Sequence, residues 1–266
     1  MSISRAQIVA TIGPASESEE ILRGMIRAQM DIARLNFSWG TVGERTVQIE
    51  RLRRLSREEG KKIPIIQDLP GPRIHNAEGH SYDPSATKAV TEADRDFIRF
   101  GAERGLEYVA VSFVGNADDI RDARDAVKEA GGSQRIIAKI ERKSALENID
   151  EIIEASDAVM IARGDLGDDI PLEEVPFVQA DITEKCNKAG KPVITATEMF
   201  VSMVSSMRPT RAEVTDVENA VLIGSDAVML SEETARGAHP VEAVALMERV
   251  VVEAELHRKG RKVNPL

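Results

Sequence analysis

A lysine, a glutamate and an aspartate stand at spacings suited to metal and anion chemistry in residues 137–165, IAKIERKSALENIDEIIEASDAVMIARGD. The stretch reads strand, helix, strand and glycine turn, and each apolar strand ends in charge. The first delivers Lys139 and Glu141, the second Arg163, Gly164 and Asp165. Side chains alternate along a strand, so Lys139 and Glu141 share a face. Polar residues at the carboxyl ends of successive parallel strands converge on one mouth, where α/β folds place their sites. Glu141 with Asp165 suits Mg²⁺ or Mn²⁺, ions that take one or two carboxylates and leave positions for water and substrate oxygens. Lys139 beside them would offset charge developing on an enolate or a phosphoryl group. The competing reading is a solvated Lys–Glu pair and an ordinary Arg-Gly-Asp turn.

The elements needed to position these residues recur along the chain. Apolar runs at 7–13, 31–38, 64–69, 108–114, 135–141, 158–163, 192–198 and 227–233 read as strands. Helical patterns follow them at about 18–28, 41–58, 91–105, 116–130, 143–154, 172–189, 210–223 and 239–256, with Ser16 and Ser18 as caps of the first. Alternating strand–helix units imply a parallel sheet, and eight of them in this length imply an α/β fold of the closed (β/α)₈ TIM-barrel type, a single domain. An open doubly wound sheet is the alternative, but no dinucleotide fingerprint follows the first strand. The remaining strand ends are polar too. They carry Arg34, Asn36 and Ser38; Asp68; Ser112; Thr195 and Thr197; and Ser231, with Glu232 and Glu233 just beyond. Barrel interiors are filled by branched apolar side chains, so polar residues there need a reason. The backbone of Gly164 and Asp165, opening a short helical segment, would make a seat for a carboxylate or phosphate. The alternative is a plain strand-to-helix turn. Residues 73–90 lack periodicity and read as an irregular loop.

Composition bounds the function classes. With 266 residues, 42% hydrophobic, one barrel would nearly exhaust the chain. The net charge of −10 argues against nucleic acid and anionic membrane as partners, and leaves local Arg and Lys to attract an anionic substrate. Cys186 is the only cysteine, which excludes an intramolecular disulfide and suggests packing rather than nucleophilic chemistry. No signal peptide or apolar run of membrane-spanning length is apparent, so the expected compartment is cytoplasmic.

The words IVATIGPAS (8–16), ARLNFS (33–38), KIER (139–142), IARGDLG (161–167), CNKAGKPVITATEM (186–199), RPTRAE (208–213), DVENAV (216–221) and MLSEETARG (229–237) resemble the pyruvate kinase family, in order and over nearly the whole chain. The resemblance implies that family's catalytic barrel, of the phosphoenolpyruvate/pyruvate-binding type, over residues 1–256, with a basic tail at 257–266. It implies that Lys139 is the catalytic lysine, that Glu141 and Asp165 bind the divalent metal, and that Arg34 lies near the transferred phosphoryl group. Ala162, Gly164, Asp165 and Thr197 match the seat of the substrate carboxylate. Arg163 and Ser112 are further candidates for substrate binding, and Asn36, Ser38 and Asp68 match a monovalent-cation site. A homo-oligomer is implied as well.

The chain also departs from the family's pattern. Family members insert a lid domain after the third strand and continue into a regulatory domain. Here residues 73–90 stand in the lid's place, and the sequence in hand ends with the barrel. Trp39 and His75 replace family residues near the nucleotide, and Gly115 and Asn116 replace a usually basic stretch, which counts against nucleotide binding. Arg73 stands where potassium-dependent members have Glu, which counts against K⁺. Glu232 replaces a glycine. Residues that handle the three-carbon acid and its metal are kept, while those that handle ADP are changed. The expectation is therefore a metal-dependent lyase on a small 2-keto acid, decarboxylating oxaloacetate or making or breaking a carbon–carbon bond through a metal-stabilised enolate. His75 and His80 are possible loop acid–base groups, or else solvated histidines. The alternatives are a phosphotransferase with a reduced lid, moving phosphoryl from phosphoenolpyruvate to ADP, and a non-catalytic keto-acid-binding or assembly subunit.

Overall fold

The computed structural model describes residues 3–76, 79–258 and 263–266, and of residues 75, 76, 79 and 80 the backbone alone. The branched apolar runs form β1 (Gln7–Thr11), β2 (Ile32–Asn36) and β3 (Ile65–Asp68). After these come β4 (Arg73–Asn76) and β5 (Gly79–Tyr82), then β6 (Tyr108–Val111), β7 (Arg135–Ile140), β8 (Ala158–Ala162), β9 (Val193–Ala196) and β10 (Ala227–Leu230). Eight of them close a parallel barrel in the order β1-β10-β9-β8-β7-β6-β3-β2, the (β/α)₈ architecture. Strands such as β3, β6, β8, β9 and β10 are buried at every residue. Burial on both faces is why they read as unbroken apolar runs rather than as alternation.

The helices are α1 (Glu19–Arg27), α2 (Val42–Glu58), α3 (Glu92–Glu103), α4 (Ala117–Glu129), α5 (Lys143–Glu147), α6 (Ile149–Ala155), α7 (Arg163–Asp169), α8 (Val175–Ala189), α9 (Arg211–Ile223), α10 (Glu232–Ala235) and α11 (Pro240–His257). Reciprocal capping boxes start four of them, at Thr41/Glu44, Thr91/Asp94, Asn116/Asp119 and Thr210/Glu213. Ser18 caps α1. Ser16 does not: it is buried and accepts the Gly13 N–H within its own turn. The helix expected over 143–154 is broken at Asn148, whose backbone N–H donates to the Ala145 carbonyl and whose side-chain Nδ2 donates to the carbonyls of Gly115 and Ser144. The helix expected from 172 opens as a 3₁₀ turn (Leu172–Glu174), and α8 follows with Pro176 in its first turn. Among the described residues no helix is long and apolar enough to cross a membrane.

The chain packs as two compact units. One comprises Met1–Leu35, Trp39–Ile65 and Ile194–Leu266, the other Asn36–Ser38 and Ile66–Val193. In the first, α11 lies against α9 and α1 over a core that includes Leu22, Met25, Val217, Val221, Met247 and Val251. In the second, the core runs from Leu69 through Val109, Ile136, Ile140, Val159 and Ile161 to Ile182 and Cys186, so the cysteine is a packing residue.

Residues 73–90, expected as an irregular loop, carry a short antiparallel ribbon. Arg73 pairs with Tyr82, Ile74 with Ser81, His75 with His80 and Asn76 with Gly79. A two-stranded ribbon has no core of its own, so neither RIHN nor GHSY shows apolar alternation. It is docked by its ends instead. The Tyr82 ring meets Phe113 at 5.5 Å, Arg142 lies over Tyr82 at 4.3 Å, and Arg73 lies over Phe113 at 5.3 Å.

Candidate active site

β7 turns the Lys139 side chain inward, where it is only 4% exposed. Its Nζ donates to Asp68 Oδ1 at 2.9 Å and to Ser112 Oγ at 2.8 Å, and pairs with Glu141 Oε1 at 2.8 Å. An ammonium has three protons, and three acceptors surround this one. The acceptors come from the ends of β3, β6 and β7. The expectation that Lys139 and Glu141 share a face is met by a direct ion pair. The competing expectation of a solvated pair fails, because both partners are buried.

Glu141 is 2% exposed, and its other oxygen, Oε2, accepts the Phe113 N–H at 2.6 Å. Burial pushes this carboxyl above its usual range. The Lys139 ammonium opposes the shift, while the like charges of Asp165 and Asp68 add to it. Phe113 holds left-handed backbone (φ 56°) to aim its N–H at Glu141. Ser112 donates to Leu69 O at 2.8 Å and receives a guanidinium N–H of Arg73 at 3.4 Å, so Arg73 joins the Lys139 network through one hydroxyl. Arg73 is itself fixed by a 2.6 Å bond from Nε to Pro70 O.

The turn after β3 is built around Gly71 (φ 66°), where a Cβ would stand 2.9 Å from that of Ser112. Its N–H donates to Asp94, a fully buried carboxylate of α3's capping box, whose pKa burial raises. Sequence reasoning missed Asp94 and Phe113. The T-x-x-D pattern at Thr91–Asp94 signalled the cap but not its second task at Gly71. Asn36 and Ser38 bracket a turn in which Asn36 Oδ1 accepts the Ser38 N–H and the Asp68 carbonyl accepts that of Phe37. The Ser38 hydroxyl is buried with no partner among the described residues.

β8 passes directly into α7, with Ala162 as the N-cap residue, so Gly164 and Asp165 fall in α7's first turn. The expected short helical opening is present. Arg163 donates to Gln179 of α8 at 3.2 Å. The other unit holds Arg34, buried and donating to Thr11 Oγ1 at 3.1 Å, and Thr197, half-buried with left-handed backbone (φ 68°). Thr195 bonds Ser225 and so serves its own strand end. His75 and His80 face one another across the ribbon by register, but their side chains lie outside the described residues, as do residues 259–262 of the tail.

No cluster of three or more His, Cys, Asp or Glu able to hold a metal occurs among the described residues. Glu141 and Asp165 nonetheless fit a hard divalent ion. Their mutual repulsion is one of the forces raising the Glu141 carboxyl, and a cation would relieve it. Two carboxylates leave the rest of an octahedral shell to water and substrate.

The family model for the pyruvate kinase barrel domain matches residues 3–86 and 85–244, in two pieces that meet just after the ribbon. The pyruvate kinase of Sporosarcina psychrophila is 38% identical over 94% of this chain and 57% of its own length. That of Clostridium perfringens is 36% identical over 95% of this chain and 71% of its own. That of Thermococcus litoralis is 34% identical over 96% and 71%. The chain spans a little over half the length of several relatives it matches. These matches overturn the expectation of a lyase favoured over a phosphotransferase: the relatives are named kinases, and the likeness runs along most of the chain rather than through the acid-handling motifs alone.

Proposed function

This chain belongs to the pyruvate kinase family, and from that premise we propose that it transfers a phosphoryl group from phosphoenolpyruvate to ADP. The observation that carries the reading is the buried Lys139 ammonium, held by Asp68, Ser112 and Glu141 beside Asp165. In this transfer the bond from phosphorus to the enol oxygen breaks as one to an ADP phosphate oxygen forms, and the enolate released takes a solvent-derived proton at its methylene carbon to become pyruvate. Negative charge moves without much covalent work for the protein, so fixed positive charge and orientation decide the rate. Lys139 supplies that charge, and its three partners prevent it from swinging away. Glu141 and Asp165 would hold a Mg²⁺ or Mn²⁺ ion, which when bound would supply Lewis-acid chemistry toward the substrate oxygens.

By its sequence match, the backbone of Ala162, Gly164 and Asp165 is assigned to the substrate carboxylate; Thr197 is assigned to the same group, and Arg34 to the phosphoryl group, each on its own match to the family pattern. For Arg34 and Thr197 the sequence match alone supports these roles. Trp39, 59% exposed, offers an aromatic face to the base of the nucleotide. Arg73, bonded to Ser112, brings a second fixed cation to the network, and on this reading K⁺ is not required. A homo-oligomer is carried over on family grounds.

The test is ³¹P NMR of the chain with phosphoenolpyruvate, ADP and Mg²⁺ in K⁺-free buffer. The phosphoenolpyruvate resonance is expected to fall as the ATP resonances rise. Loss of phosphoenolpyruvate without ATP, or no reaction with either Mg²⁺ or Mn²⁺, overturns the reading.

A further inference from the structure

Two consecutive residues after β9, Thr197 (φ 68°) and Glu198 (φ 55°), hold left-handed backbone, and neither is glycine. A β-branched residue in that region persists only where its surroundings over-determine it. On one side the surroundings are the sheet, where Ala196 stands in register with Met229 of β10. On the other side they are a carboxylate. Glu233, in the short helix α10, is 2% exposed; its Oε1 accepts the Phe200 N–H at 2.9 Å and its Oε2 accepts the Ser231 N–H at 2.7 Å. Glu233 therefore ties the far end of the Thr197 turn to the end of β10. Beyond Phe200 the chain is held again, with Glu213 of α9 accepting both the N–H and the hydroxyl of Ser202.

A buried carboxylate is a costly way to satisfy two amides, and burial pushes that of Glu233 above its usual range. Ionised hydrogen bonds are, however, shorter and stronger than neutral ones, and suit a turn that must resist relaxation. We propose that Glu233 is a positioning residue that clamps the strained turn at Thr197 and Glu198, and so fixes the hydroxyl and backbone of Thr197 for the phosphoenolpyruvate carboxylate. The proposal rests on the role given to Thr197 above. Glu233 touches no substrate; it acts through Phe200 and the turn.

The experiment compares the wild-type chain with Glu233→Ala, Glu233→Gln and Thr197→Ala. It combines hydrogen-exchange mass spectrometry, thermal melting and steady-state kinetics with each substrate varied in turn. Glu233→Ala is expected to speed exchange in peptides spanning 196–200. It should also lower kcat/KM for phosphoenolpyruvate by about tenfold to a hundredfold, the scale of a misplaced positioning group, with KM for ADP unchanged. Glu233→Gln keeps one oxygen acceptor, preserves the fold if the alanine variant does not, and should fall between. Unchanged exchange at 196–200 in either folded variant overturns the clamp. An equal loss for both substrates that tracks the melting temperature overturns the positioning role. Faster exchange in Glu233→Ala with full activity in Thr197→Ala overturns the assignment of Thr197. A wild-type chain that transfers no phosphoryl group overturns the functional reading itself.

Discussion

An ammonium buried between two carboxylates and a hydroxyl is fixed in place as well as in charge. Lys139 is so held, and the desolvation of three ionised groups is tolerable because each satisfies another. On the proposed reading, metal binding turns on Glu141. Its carboxyl is lifted by burial and by Asp165, so a cation shared by the two would lower the free energy of both. Glu141→Gln keeps the side-chain volume and an oxygen for the Phe113 N–H but removes the charge. The Mn²⁺ concentration giving half-maximal activity should rise about tenfold or more, since even outer-shell partners of a metal site are worth that much. A Mn²⁺ titration of the two proteins checks this, and superimposed curves would remove Glu141 from the metal site. Lys139, Glu141 and Asp165 were legible as a group because period-two alternation and strand ends carry them. Asp94 and Phe113 were not, and Glu233 was legible only as a polar strand-end residue. Asp94 accepts the Gly71 N–H, Glu233 that of Phe200, and Phe113 gives its own to Glu141, pairings made only by folding.

At the scale of elements, the ribbon β4–β5 is the feature most particular to this chain, and Gly115 explains how it is seated. A Cβ at position 115 would collide with the Arg142 guanidinium, the group that lies over the Tyr82 ring. The glycine that replaces a basic residue of the family pattern therefore makes room for a side chain that docks the ribbon. Gly115→Ala should displace Arg142 and free the base of the ribbon. Limited proteolysis is expected to cut the 73–90 segment of that variant faster than in the wild type while global melting shifts little. Equal cleavage rates would show that Arg142 does not hold the ribbon. The eight barrel strands were legible as apolar runs and α2, α3, α4 and α9 as helical patterns between them, while the capping boxes that start those four helices are seen in the structure. The ribbon was not legible, since a tilted ring pair and cation–π contacts distant in sequence stabilise it rather than any pattern of its own. The break at Asn148 was equally hidden, because it depends on the Gly115 carbonyl lying within reach.

At the scale of the molecule, eight strand–helix alternations sufficed to expect the closed order β1-β10-β9-β8-β7-β6-β3-β2. The reaction was not legible in the same way. Changes at Trp39, Gly115 and Asn116 looked like the loss of a nucleotide site, and weighing them heavily led to a lyase. Yet Trp39 is an exposed ring, and Gly115 leaves room for the Arg142 guanidinium, so each change has a reading other than decay. A net charge of −10 offers an anionic substrate no general attraction, so on the proposed reading the rate depends on cations fixed locally, Lys139 first. The most direct measurement is pyruvate formation from phosphoenolpyruvate, with and without ADP, by the wild type, Lys139→Arg and Lys139→Met, each shown to be folded by circular dichroism. ADP-dependent turnover is expected in the wild type. A fall in kcat of about 10²-fold or more is expected in the methionine variant, and a substantial loss in the arginine variant, whose planar fork cannot meet three acceptors arranged around one nitrogen. Full turnover in a folded Lys139→Met protein, or wild-type pyruvate formation indifferent to ADP, would contradict the proposed function.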